Sequence, residues 1–91
     1  MQFQHLRAFL EVADELSFTQ AARNLHYAQS SVTAQIRSLE EALGTPLFDR
    51  RTRRVELTEA GRQLRPYAEQ ILRIAAVAEA ACRDAGAARA A

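Results

Sequence analysis

The chain contains no lysine and no tryptophan, one cysteine, two prolines and three glycines. A single cysteine excludes an internal disulfide, so these 91 residues must fold on a hydrophobic core alone. In a domain this small that core is thin, and a second copy would help it. No apolar run approaches the ~20 residues of a membrane span. Nothing resembles a signal peptide ahead of the first amphipathic segment, so the cytoplasm is the expected compartment. His5, His26 and Cys82 lie far apart in the chain, leaving no zinc-ligand spacing and no nucleophile beside a base. Neither a metal site, a cofactor nor a catalytic residue is expected.

With lysine absent, all twelve basic residues are arginine, set against eleven acids for a formal charge of +1. That near balance conceals segregation. Residues 1–16 hold Arg7 against Glu11, Asp14 and Glu15, whereas "RRTRR" at 50–54 holds four arginines and no acid. A concentrated basic patch on a nearly neutral domain fits contact with nucleic-acid phosphates.

Helical stripes organise most of the chain. Phe3, Leu6, Phe9, Leu10, Ala13 and Leu16 recur at helical spacing. "SFTQ" at 17–20 then reads as a capping box, with the Ser17 hydroxyl on a backbone N–H and Gln20 reaching back. A short helix over about 18–26 follows, turning Ala21, Ala22 and Leu25 inward. After a break near His26 to Ala28, Val32, Ile36, Leu39 and Leu43 form a third stripe, stopped by Gly44 and Pro46. "PLFDR" and "RVELT" are short runs of strand type around the basic residues and predict a hairpin with a basic tip. Thr58 is placed to cap a long helix over 59–85, which Pro66 should bend. There Leu64, Ala68, Ile71, Ala75, Ala78, Cys82 and Ala85 form a heptad seam. Tyr67, Ile74, Val77 and Ala81 make a second apolar stripe beside it, so one can cover the domain and the other meet a partner. Cys82 is expected as a small apolar seam residue.

The outer face of the third helix is unusual. Gln29, Ser30, Thr33, Ala34 and Arg37 lie off the apolar stripe, and only Arg37 is charged, whereas a merely solvated face carries more acids and bases. Small hydrogen-bonding side chains near a helix N-terminus suit a close-fitting polar groove. Glu40 and Glu41 sit at the far end, where acids oppose the helix dipole, and Arg37 can pair with Glu41. Helix, short helix, turn, helix and basic hairpin together make the order of a winged helix-turn-helix.

"FLEVADELSFTQAARNLH", "SSVTAQIRSLEEALGTPLFDR" and "RRVELTEAG" resemble the N-terminal DNA-binding domain of LysR-type transcriptional regulators, over about residues 3–75. The resemblance implies a mainly α fold: a winged helix-turn-helix of three helices and a two-stranded wing over 1–58, then a linker and dimerisation helix with its tail over 59–91. It implies base reading by Gln29, Ser30, Thr33 and Ala34, and phosphate contacts from Thr19, Ser31, Arg37 and Ser38. Arg50, Arg53 and Arg54 of the wing fall at the backbone or in a minor groove. A homodimer on an imperfect palindrome is implied, with Leu64, Ala68, Ile71, Ala75 and Ala78 as its seam; a tetramer of the full-length protein stays open. The implied effector-binding domain has no room here, so the chain is expected to be part of a longer regulator, with the small-molecule effector bound elsewhere. Two positions depart from the common pattern: Ala28 where the family often has a Ser or Thr cap, and Ser30 where it often has Pro. A molybdate-responsive type of regulator and a winged domain serving only protein interaction are the alternatives.

Overall fold

The computed structural model describes residues 1–51 and 53–90. In order it contains α1 (Phe3–Glu15), α2 (Phe18–Leu25), α3 (Gln29–Leu43), β1 (Phe48–Asp49), β2 (Glu56–Leu57) and α4 (Glu59–Ala90). The helix boundaries rest on local devices. Ser17 Oγ accepts the Gln20 N–H at 3.1 Å, which satisfies one of the orphan donors of α2. The Gln20 side chain donates to Asn24 Oδ1 at 2.9 Å instead of reaching back, so half of the expected capping box forms. His26, in the left-handed region at φ 59°, ends α2. The Tyr27 N–H then bonds Ala22 O at 2.9 Å and closes the tight turn into α3. Gly44, at φ 74°, ends α3 in a conformation glycine adopts without a Cβ clash.

The three short helices pack on one another around Leu6, Phe9, Val12, Val32, Ile36, Leu39 and Leu47, all essentially inaccessible. Full burial of such side chains contributes roughly 1.5–3 kcal/mol each. Ala8 and Val12 belong to this core, while Phe3 and Leu16, at the ends of the α1 stripe, are exposed. Phe48 from β1 joins it as the centre of an aromatic cluster, with ring centroids 5.5 Å from Phe9 and 5.8 Å from Phe18. The two wing strands are shorter than their sequence runs. Among the described residues Phe48 pairs with Leu57 and Asp49 with Glu56, antiparallel.

The wing, α3 and α4 meet at the Leu47 backbone. Its N–H donates to Glu40 Oε2 at 2.8 Å, and its carbonyl accepts the Thr58 N–H at 3.0 Å. Thr58 caps α4 by accepting the Gly61 N–H at 3.1 Å, while its hydroxyl donates to Pro46 O at 2.7 Å. Gly61 is needed there: a Cβ on it would lie 2.3 Å from Leu47 O and 2.7 Å from Leu57 Cδ2. The acids of α1 are tied to neighbouring helices. Asn24 Nδ2 donates to Glu11 Oε2 at 2.8 Å and to Glu15 Oε2 at 2.7 Å, and Arg65 of α4 pairs with Asp14.

The structure corrects the α4 seam at Ala68. Ala68 is fully enclosed within its own chain, and Leu64, Ile71 and Leu72 pack against the same core. Ala68 therefore serves the winged domain alone, while Leu64 and Ile71 pack on the core and stay half-buried. Ala75 is half-buried, and Ala78 and Ala85 of that seam are exposed. The open stripe is the second one: Tyr67, Ile74 and Val77 are 62%, 67% and 63% accessible. Cys82 is also exposed, because α4 has by then left the domain. The helix continues through Pro66 to Ala90, five residues beyond the expected end at Ala85. The molecule measures 57 × 25 × 19 Å as a result.

Glycine to alanine inside a helix ordinarily stabilises by about 0.5–1 kcal/mol. At Gly61 we expect the opposite sign, because the new methyl group meets a backbone carbonyl. Overpacking of this kind costs about 1–3 kcal/mol. Urea unfolding of Gly61→Ala should show a lowered midpoint; a raised one would mean that the approach of α4 to Leu47 relaxes without strain.

Candidate nucleic-acid interface

Burying Val32, Ile36 and Leu39 turns the other side of α3 outward. Gln29, Ser30, Ser31, Ala34, Arg37 and Ser38 are exposed there, and Thr33 is half-buried among them. The helix begins at Ala28, which offers no side-chain cap. Among the described residues, the Gln29 and Ser30 N–H groups have no hydrogen-bond acceptor, so they face outward as donors at the positive end of a helix dipole. Arg37 makes no ion pair with Glu41 among the described residues, leaving its guanidinium available. Thr19, on α2, is exposed and donates from Oγ1 to Gln29 Oε1 at 3.0 Å. This bond joins two residues singled out separately in the sequence.

The arginines around the wing are not equivalent. Arg50 lies 4.7 Å from the Phe18 ring centroid, with Nη2 3.5 Å from Glu40 Oε1, so its charge is engaged inside the domain. Arg51 grips Asp49 through Nε and Nη2 at 3.1 and 3.0 Å, and its backbone N–H bonds the same carboxylate at 3.0 Å. These hydrogen bonds, the side-chain one first, hold the Asp49 carboxyl down from 3.8 to about 2, with the Arg51 charge adding less. The Asp49 hydrogen bond likewise raises Arg51. Arg53 and Arg54 are exposed, and Arg53 has no ion pair among the described residues. Thr52, in the middle of the basic run, lies outside the described residues.

Sequence reading missed Glu40, Asp49 and Phe18. Glu40 fixes the start of β1 and the Arg50 side chain. The one local signal was an acid at the disfavoured end of a helix. Its partners, seven and ten residues on, could not be read from periodicity. No group of three or more His, Cys, Asp or Glu side chains suited to a metal occurs among the described residues. No helix there is long and apolar enough to cross a membrane.

Residues 3–62 match the family described as "Bacterial regulatory helix-turn-helix protein, lysR family". The chain is 50% identical over 72 residues to the uncharacterized HTH-type transcriptional regulator YwqM of Bacillus subtilis, covering 79% of this chain and 25% of that protein. It is 48% identical over 85 residues to the HTH-type transcriptional regulator ShiR of Corynebacterium glutamicum, covering 93% of this chain and 29% of that protein. The chain thus spans less than a third of the length of either relative. Among solved structures it resembles the CbnR DNA-binding domain in complex with DNA, with a TM-score of 0.89 at 36% identity, covering 94% of this chain and 99% of that one. A BenM DNA-binding domain on its catB site 1 DNA gives 0.84 at 38% identity, covering 93% and 97%.

The Asp49–Arg51 grip has a pH signature. The folded-state value is lowered, so its stabilisation is complete above the ordinary 3.8 and is lost as pH falls through about 2. Carboxyl-carbon NMR should find Asp49 titrating near 2; titration near 3.8 would show Arg51 detached.

Proposed function

Because the chain belongs to the lysR family of bacterial regulatory helix-turn-helix proteins, we propose that its part in transcription regulation is to read double-stranded DNA through α3 and grip it with the wing. The fold is that of LysR DNA-binding domains. One observation carries the assignment of the face: from Gln29 to Ser38 the exposed side of α3 is uncharged apart from Arg37, and it starts with uncapped backbone donors. Gln29, Ser30, Thr33 and Ala34 meet base edges in the major groove, where Ala34 can pack on a thymine methyl. Ser31, Arg37 and Ser38 bond flanking phosphates, while the one hydroxyl proton of Thr19 is already given to Gln29. Arg53 and Arg54 carry the wing to the backbone or into a narrow minor groove. Arg50, held by Glu40 and Phe18, sets the wing's position and adds to its field.

Two copies pair through α4 on an imperfect palindrome, by the stripe of Tyr67, Ile74 and Val77 continuing through Ala78 and Ala81. In a longer regulator, a separate domain would bind the small-molecule effector. The cytoplasm, where bacterial DNA lies, is the compartment. Selection from a random DNA library tests the reading: two related half-sites at a fixed spacing should be enriched, and the absence of any motif would overturn it.

Gln29→Ala and Thr33→Ala should lower discrimination among sites more than affinity for random DNA, because a bidentate base contact is worth roughly 1–3 kcal/mol. Equal losses on both would make these side chains mere positioners of the helix. Arg53→Ala should flatten the salt dependence by about 0.9 in log–log slope if one phosphate contact is lost. An unchanged slope with lost preference for A·T-rich flanks would put Arg53 in the minor groove, and no change in either would remove it from the interface.

Ile74→Asp should leave the domain folded yet bind a double site no more tightly than a single half-site, with a monomeric sedimentation mass. Ile71→Asp should instead lower the melting temperature, since Ile71 packs on its own core. A dimeric Ile74→Asp variant with native spacing would exclude this stripe as the contact.

A further inference from the structure

The Thr19 to Gln29 hydrogen bond joins the second residue of α2 to the first residue of α3, ten positions along the chain. Both side chains are exposed, so the bond does not bury an otherwise unsatisfied group. Its effect is to restrict a long side chain that would otherwise rotate freely. Gln29 Oε1 takes the Thr19 hydroxyl on one lone pair, and no acceptor engages its Nε2 hydrogens among the described residues. What remains of the amide is one edge with an acceptor lone pair beside a donor hydrogen.

We infer that Thr19 is a positioning residue for base discrimination: by anchoring the Gln29 amide it presents an acceptor–donor edge that takes adenine and rejects guanine. This rests on the reading above, in which Gln29 faces a base. Adenine offers an N6 donor beside the N7 acceptor, complementary to that edge. Guanine offers O6 and N7, both acceptors, and can be gripped only by turning both Nε2 hydrogens toward it. Turning them requires Gln29 to leave Thr19. The conclusion survives an exchange of the amide oxygen and nitrogen: the Thr19 hydroxyl would then accept one N–H, again leaving one acceptor and one donor for the base.

The test is library selection with the wild-type chain, Gln29→Ala, Thr19→Val, Thr19→Ser and the double variant Thr19→Val/Gln29→Ala, with circular dichroism confirming each fold. The wild type should enrich adenine over guanine at a position that loses its preference in Gln29→Ala. Thr19→Val, similar in shape without the hydroxyl, should lower that adenine-to-guanine ratio by about tenfold or more, the order one bidentate contact supplies. Thr19→Ser should retain it, and in the Gln29→Ala background Thr19→Val should change nothing further at that position. A uniform loss of affinity with an unchanged ratio in Thr19→Val would overturn the inference, leaving the hydroxyl a phosphate contact only. Guanine at the Gln29-dependent position of the wild type would overturn it too, as would a motif that Gln29→Ala leaves intact. A wild type that enriches no motif would instead bring down the DNA-reading function itself.

Discussion

The peptide of Leu47 is the joint on which the rest of the molecule is hung. Its N–H is held by Glu40 at the end of α3, and its carbonyl is held by Thr58 at the start of α4. The glycine facing it lets α4 approach to a distance that no side chain would permit. The Leu47 side chain is itself buried in the core formed by the three short helices. One residue therefore fixes the helix that faces DNA, the root of the wing and the helix that leaves the domain. Neighbouring hydrogen bonds can fray singly, but losing this joint would release three elements at once.

Arginine in place of lysine has structural as well as electrostatic consequences. The flat guanidinium of Arg50 lies over the Phe18 ring while still reaching Glu40, and that of Arg51 makes two bonds to one carboxylate. A lysine ammonium, as a compact point charge, cannot combine these contacts in the same way. Charge in the wing is thus divided. Part of it holds the hairpin together against Asp49 and Glu40, and the part beyond the turn, at Arg53 and Arg54, lies at the surface.

Short-range features were legible in the sequence. Ser17, Gly44 and Thr58 act through neighbours within a few residues, and the span of α3 from Gln29 to Leu43 follows from its stripe and its stop signal. Contacts between elements were not legible. Periodicity showed two apolar stripes on α4 but not which would face α1, because that depends on how the helix leaves Thr58 and on the Arg65 to Asp14 pair, 51 residues apart. The heptad spacing of Leu64, Ala68 and Ile71 described a real seam, fully buried at Ala68 and half-buried at the other two. Likewise the four arginines of residues 50–54 looked uniform until the fold brought Phe18 and Glu40 to Arg50. On the reading face, the exposed residues were evident from spacing, but the bond between Thr19 and Gln29 depends on the angle at which α2 and α3 meet.

Nearly half of α4 stands clear of the domain, and every described side chain from Ala76 onward is exposed. At 1.5 Å per residue its 32 residues extend about 48 Å from the Thr58 cap. Such a rod works as a lever with its fulcrum at the Leu47 joint. A tilt of about 10° there would swing the far end by about 8 Å, more than two base-pair steps of DNA. The same geometry runs in reverse: a push at the distal end reaches the reading heads as a small rotation with a large mechanical advantage. In the proposed dimer, a stiff joint at the fulcrum would set how far apart the two domains stand, without either of them changing shape.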